Sequence, residues 1–265
     1  MGRPEIKAMK KLIAIIALSC LLLAGCSAKT YEAVSGPSND LIAWQLDWVT
    51  EDLLKENSID RLFVQFSEEN WKTAKKYQGT TNVCFIDGGK DWNRQTMIDY
   101  LDAVAKTPVR VAAFDCEGWY ANQEPTAETL AAYVDDCIVV YQYAQKLGIR
   151  MCVVFPYWSE VHSVEQLERL VREGCDELHV MDFYIPTVVE NIENELAFCK
   201  EYGKTCQIVF EISNPDKEGL SSDISYWKLG SEQLQDDMNF LRYTYGDDFG
   251  FTIHQAKYYK DFLEK

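Results

Sequence analysis

Residues 111–119, Val-Ala-Ala-Phe-Asp-Cys-Glu-Gly-Trp, form a short apolar run that ends in two carboxylates and an aromatic ring. In an extended strand, successive side chains point to opposite faces. Asp115 and Glu117 therefore share a face and lie close together. Repulsion between neighbouring carboxylates raises the pKa of one of them. A carboxylic acid that keeps its proton near neutral pH can act as a general acid. Trp119 adds a flat apolar surface on which a sugar ring can pack. A lone Asp-x-Glu is equally the end of a strand with two solvated acids, so the weight falls on whether the pattern repeats.

It repeats along the chain. Eight runs rich in β-branched and aromatic residues stand out: Leu41–Trp48, Arg61–Phe66, Asn82–Asp87, Arg110–Glu117, Arg150–Tyr157, Glu177–Tyr184, Cys206–Ile212 and Gly250–Gln255. Segments of helical periodicity separate most of them, notably Asp91–Lys106, Ala127–Leu147, Ser163–Glu173, Val188–Tyr202 and Ser231–Tyr245. Strands that alternate with helices imply βαβ units and a parallel sheet. The strands are nearly continuous in apolar residues, as expected where both faces are covered. The predicted fold is α/β, a single-domain (β/α)8 TIM barrel near its lower size limit.

Each run ends in a polar or aromatic group. In chain order these are Asp47 with Trp48, Gln65, Asp87, Asp115 with Glu117, Tyr157 with Trp158, Asp182 with Tyr184, Glu211, and His254 with Gln255. Barrel enzymes carry their chemistry at the C-terminal ends of the strands. Such a ring predicts a polar, sugar-sized site, with about half of these residues lining a cleft. The long segment Ser213–Gly230, between the seventh and eighth strands, is predicted to be a loop forming one wall.

Before the barrel lies a processing signal. Met9-Lys10-Lys11 is basic, Leu12–Leu23 is apolar, and Leu23-Ala24-Gly25-Cys26 reads as a lipobox. Residues 1–25 are expected to be a bacterial lipoprotein signal peptide, with Met9 the expected true start. Cys26 would carry the lipid, residues 26–39 would be the lipidated Cys and its tether, and 40–265 the barrel domain. The protein would then be anchored to the membrane in the bacterial cell envelope, outside the cytoplasm. The full chain has a net charge of −16, and loss of residues 1–25 leaves 22 basic against 41 acidic side chains. A surface that acidic argues against nucleic acid, whose phosphates need a basic face, and against polyanionic glycans. It fits a neutral glycan as partner.

Seven cysteines follow Cys26: Cys84, Cys116, Cys137, Cys152, Cys175, Cys199 and Cys206. An odd number cannot pair completely, and most sit in apolar contexts where a free Cys acts as a small buried hydrophobe. Their spacing fits no zinc motif, and there are only three histidines, His162, His179 and His254. No metal and no cofactor are expected. His179 opens a strand and reads as structural.

Phe114-Asp115-Cys116-Glu117 resembles the end of the fourth-strand Asp-x-x-Asp-x-Asp-x-Glu motif of glycoside hydrolase family 18, the chitinase-like family. Val180-Met181-Asp182-Phe183-Tyr184 resembles that family's sixth-strand Met-x-Tyr-Asp segment. The resemblance implies that Glu117 is the general acid and that Asp115 orients a substrate acetamide acting as internal nucleophile. Ala113 and Arg110 depart from the motif, as do Phe183 and Tyr184. Family 25 muramidases share an Asp-x-Glu after a barrel strand. A further resemblance is to the clan of retaining barrel glycosidases, which implies Glu117 as acid/base after strand four and Glu211 as nucleophile after strand seven.

These readings leave three hypotheses. The first is a surface-anchored glycoside hydrolase acting on an extracellular or cell-wall glycan. Its catalytic residues would be Glu117, Asp115 and Glu211. Its substrate would be bound by Asp47, Trp48, Asp87, Trp119, Tyr157, Trp158, Asp182, Tyr184, His254 and Gln255. The second is a non-catalytic glycan-binding lipoprotein on a degenerate barrel. The third is a hydrolase holding Mg²⁺ or Ca²⁺ on Asp47, Asp87, Glu211 and His254.

Overall fold

The computed structural model describes residues 36–88, 93–116, 126–156, 163–181, 184–188 and 191–265. Eight strands lie in parallel: β1 (Asn39–Ala43), β2 (Arg61–Gln65), β3 (Asn82–Asp87), β4 (Val111–Asp115), β5 (Arg150–Pro156), β6 (Glu177–Met181), β7 (Thr205–Glu211) and β8 (Gly250–His254). Each pairs with its sequence neighbour, and β8 closes on β1 through Asn39↔Phe251 to Ile42↔His254. The helices between and after them are α1 (Glu51–Glu56), α2 (Glu68–Ala74), α3 (Arg94–Ala105), α4 (Ala127–Leu147), α5 (Val164–Glu173), α6 (Glu193–Tyr202), α7 (Ser231–Tyr245) and α8 (Ala256–Leu263). This is the TIM barrel expected from the sequence.

Strand alternation divides the core into two shells. Outward residues such as Leu62, Phe85, Phe114, Val153, Ile208 and Phe251 pack under the helices. Inward residues such as Ile42, Phe63, Ile86, Ala113, Val154 and Val209 fill the barrel. Local signals set the helix ends. Thr126 caps α4 by accepting from the Thr129 N–H, and Gly148 stops it with φ 66°, a left-handed conformation suited to glycine. Ser163 caps α5 through the Gln166 N–H.

The N-terminal end of the barrel is closed by charge. Arg61 is fully buried. Its Nε donates to Asp40 Oδ1 at 2.9 Å and its Nη1 to Glu177 Oε2 at 2.9 Å. Its Nη2 contacts both acids at 2.5 Å. His179 Nε2 meets Glu177 Oε1 at 2.6 Å, which confirms the structural reading of this histidine. Burial alone would raise the Glu177 pKa, but Arg61 and His179 together hold the carboxyl below the usual range. The seven cysteines after Cys26 are free and buried.

Several elements differ from expectation, most of the strands by one or two residues and the helix expected from Val188 by starting at Glu193. The first strand ends at Ala43 rather than Trp48, and Leu46–Trp48 form a 3-10 turn. The ladder to β2 stops at Ala43↔Val64, so nothing holds the chain extended beyond it. The sixth strand is described as far as Met181, and Tyr184 stands outside it. The segment after β7 is a string of short turns rather than plain loop: a single helical turn at Pro215–Glu218, then 3-10 turns at Ser222–Ile224 and Tyr226–Lys228.

Candidate active site

At the C-terminal ends of the strands, a cavity of about 230 Å³ opens above the barrel core. Ile42, Val154, Met181 and Val209 give it an apolar floor. Its polar wall comes from inward-facing strand ends: Trp44 after β1, Asp115 on β4, Glu211 on β7 and His254 on β8. Ser213, Glu218, Leu220 and Ile224 of the β7–α7 connection complete it, as expected for that segment. Among the described lining residues there is no Lys or Arg.

A hydrogen-bonded chain crosses one side of the cavity. Trp44 Nε1 donates to His254 Nε2 at 2.7 Å. Indole N–H can only donate, so this ring nitrogen of His254 accepts. The proton of the neutral imidazole then sits on Nδ1, which meets Glu211 Oε2 at 2.5 Å. The other Glu211 oxygen accepts from the Ser213 N–H at 2.6 Å. Glu211 is buried, and each of its oxygens is occupied. Gln255 Nε2 reaches Ser213 Oγ at 3.3 Å, and the Ser225 hydroxyl donates to the Ser213 carbonyl at 2.6 Å. These bonds fix the connection against the strand ends.

Asp115 stands on β4, diametrically opposite β8 in the closed order of strands. Its carboxyl is buried. Gly88, just past β3, makes room between it and the indole. A Cβ at position 88 would lie 3.2 Å from Trp44 Cη2 and 3.8 Å from Asp115 Oδ2. Glu218 bonds to Lys257 at 2.7 Å and to the Tyr258 hydroxyl, and these two hold its carboxyl below the ordinary range.

Of the residues expected at the site, Asp115, Glu211, His254 and Gln255 line this cavity together. Asp47, Trp48, Asp87 and Tyr184 are not among its lining residues. Asp47 is exposed on the 3-10 turn, and Trp48 lies beneath Lys257 Nζ, 5.6 Å from its ring centre. Asp87 shares the outward parity of Val83 and Phe85, so it leaves the barrel axis on the side of Tyr100 of α3. Tyr184 is 43 % exposed beyond β6. Glu117, Trp119, Tyr157, Trp158, Asp182 and Cys26 lie outside the described residues.

The metal-dependent hypothesis needs Asp47 and Asp87 beside Glu211 and His254, and the cavity does not gather them. Elsewhere Cys152, Glu177 and His179 bring ligand atoms within 4.8 Å of one another inside the barrel. Both oxygens of Glu177 already bind the Arg61 guanidinium, so a metal ion there would face a buried cation.

Trp44 was not anticipated as a site residue, and Ser213 and Glu218 were expected only as members of a wall-forming segment. Trp44 could have been found from parity, since it follows Ile42 by two positions on the inward face. Ser213 and Glu218 carry no periodic signal.

No protein-family model matches the sequence, and no curated protein matches it. Solved structures do match in fold. Ega3 of Aspergillus fumigatus in complex with galactosamine aligns over 87 % of this chain and 95 % of its own, with TM-score 0.56 and 12 % identity. D-psicose 3-epimerase of Clostridium cellulolyticum H10 with D-tagatose aligns over 82 % and 84 %, with TM-score 0.52 and 10 % identity. A chitinase catalytic domain of Ostrinia furnacalis aligns over 66 % and 64 %, with TM-score 0.46 and 9 % identity. A type I 3-dehydroquinate dehydratase of Clostridium difficile matches as well, with TM-score 0.52 and 12 % identity, so likeness of fold does not select a reaction.

Proposed function

We propose that the chain is a glycoside hydrolase acting on an extracellular or cell-wall glycan at the C-terminal mouth of its barrel. One observation carries this reading. Asp115 shares a single cavity with Trp44, His254 and Glu211, so a buried carboxylate faces an aromatic and hydrogen-bonding wall across a space of about 230 Å³. Carboxylates placed beside a glycosidic bond stabilise the positive charge that develops as it breaks. Glu117, two residues beyond Asp115, is the general acid in this reading. Asp115, two residues before Glu117 in sequence, is its partner in this reading, while both Glu211 oxygens accept hydrogen bonds from His254 and Ser213. Glu211 instead orients His254. The lipobox at Leu23–Cys26 would tether the enzyme outside the cytoplasm.

The test is product release from chitin oligomers, peptidoglycan and neutral plant and host glycans by Ser27–Lys265, followed by mass spectrometry. Product from the unaltered protein, but not from Glu117→Gln or Asp115→Asn, supports the proposal. Glycan binding without turnover by any of the three would replace it with a binding lipoprotein.

A further inference from the structure

A second cavity, of about 290 Å³, lies in the outer layer of the barrel and shares no lining residue with the cavity at the mouth. Leu196, Cys199 and Lys200 of α6 line it, with Cys206 of β7, Tyr245 of α7 and Phe249. Lys200 and Asp248, both largely exposed, pair at 3.5 Å beside it. Inside, the thiols of Cys199 and Cys206 are close enough for one to hydrogen-bond the other. The turn between α6 and β7 holds them there, with the Lys204 N–H bonded to the Cys199 carbonyl at 2.8 Å. Both cysteines are buried and unlinked. The nearby Cys175 thiol is engaged elsewhere, donating to the Leu170 carbonyl at 3.7 Å.

We propose that Cys199 and Cys206 are a disulfide-forming pair, oxidised through this cavity by a small-molecule disulfide, and that the bond ties α6 to β7. The reaction is two successive exchanges. One cysteine thiolate attacks the small disulfide, forming a mixed disulfide and expelling one small thiolate. The second cysteine thiolate attacks the mixed disulfide at the protein sulfur, forming the Cys199–Cys206 bond and expelling the other. The cysteines give up two electrons and two protons. The oxidant takes up both electrons as its S–S bond breaks, and the protons end on its two thiols. The hydrogen bond to Cys206, together with burial, raises the Cys199 pKa well above the ordinary thiol range. Exchange needs the thiolate, so it accelerates as pH rises from 7 to 9.

The test treats the folded full chain with oxidised glutathione at pH 8, followed by acid quench, denaturation, alkylation and cleavage after glutamate. Glu195, Glu201 and Glu211 place the two thiols in separate peptides, Leu196–Glu201 and Tyr202–Glu211. The expected result is that these two peptides are joined, at least tenfold over any other pairing, and separate on reduction. Cys206→Ser serves to assign the bond, and the linked species must vanish in it. Full alkylation of both peptides, glutathione retained on a single cysteine, or linkage of Cys199 to Cys175 would overturn the proposal. The unaltered protein's peptide map decides even if the variant fails to fold.

Discussion

The indole of Trp44 fixes the tautomer of His254. Because Trp44 Nε1 donates at 2.7 Å, His254 Nε2 must accept, and its Nδ1 is left to serve Glu211. Trp44→Phe keeps an aromatic ring and removes the donor. The expected cost is about 1 to 3 kcal/mol, since a partly buried acceptor loses its partner. Urea denaturation measures that loss. Nitrogen NMR of the histidines should show one neutral tautomer for His254 in the unaltered protein and two in the variant. A single unchanged tautomer in Trp44→Phe would mean that Glu211 alone sets it.

Asp115 and Glu211 should separate by phenotype. Asp115→Asn is expected to lower glycan turnover about 100- to 1000-fold, the range for losing one electrostatic group aimed at developing charge. Asn is isosteric with Asp and opens no cavity, so the variant's stability should stay within about 1 kcal/mol of the parent. Glu211→Gln should reduce stability as well, because two short hydrogen bonds meet on that carboxylate. Equal effects of both variants on turnover and on stability would contradict these separate roles.

The buried cluster at the other end of the barrel predicts a pH dependence. Glu177 is held below its ordinary pKa of 4.5 in the folded state. Its stabilising contribution is therefore complete above that ordinary value and is lost as pH falls towards the lowered one. Urea midpoints measured from pH 7 down to pH 3 should decline below about 4.5, the ordinary value. Glu177→Gln should be about 3 to 5 kcal/mol less stable at pH 7, because Arg61 is left with one buried partner. It should also lose its share of the acid slope.

Gly250 opens β8 where no side chain fits. A Cβ there would lie 2.2 Å from Gln207 Oε1 and 2.4 Å from the Ser38 carbonyl. Gly250→Ala should cost about 1 to 3 kcal/mol by overpacking. Adding Gln207→Ala should recover only part of it, since the Ser38 backbone remains in the way. Full recovery in the double variant, measured by thermal unfolding, would show that the backbone yields.

The strands were legible because each is a compact apolar run, and Asn82–Asp87 matches its observed limits. Helices α1, α2 and α8 were not singled out. They span only 6, 7 and 8 residues, too few turns to display a period. At the site, Asp115, Glu211 and His254 could be read as strand-end groups. Asp87 misled because its strand ends on an outward position. The Arg61 cluster was hidden by distance, since Asp40, Arg61 and Glu177 each stand at or next to the start of a different apolar run. Only closure of the barrel brings those three beginnings together.

That closure also bears on how fast a ligand comes and goes. With Arg61, Asp40 and Glu177 filling one end and Phe63 and His179 packed above them, the barrel axis is not a passage. Among the described residues the upper cavity has no exit along the barrel axis, so a ligand arrives and departs at the C-terminal end. A bulky substitution at its rim should therefore slow both by a similar factor, lengthening residence time while leaving the equilibrium affinity nearly where it was.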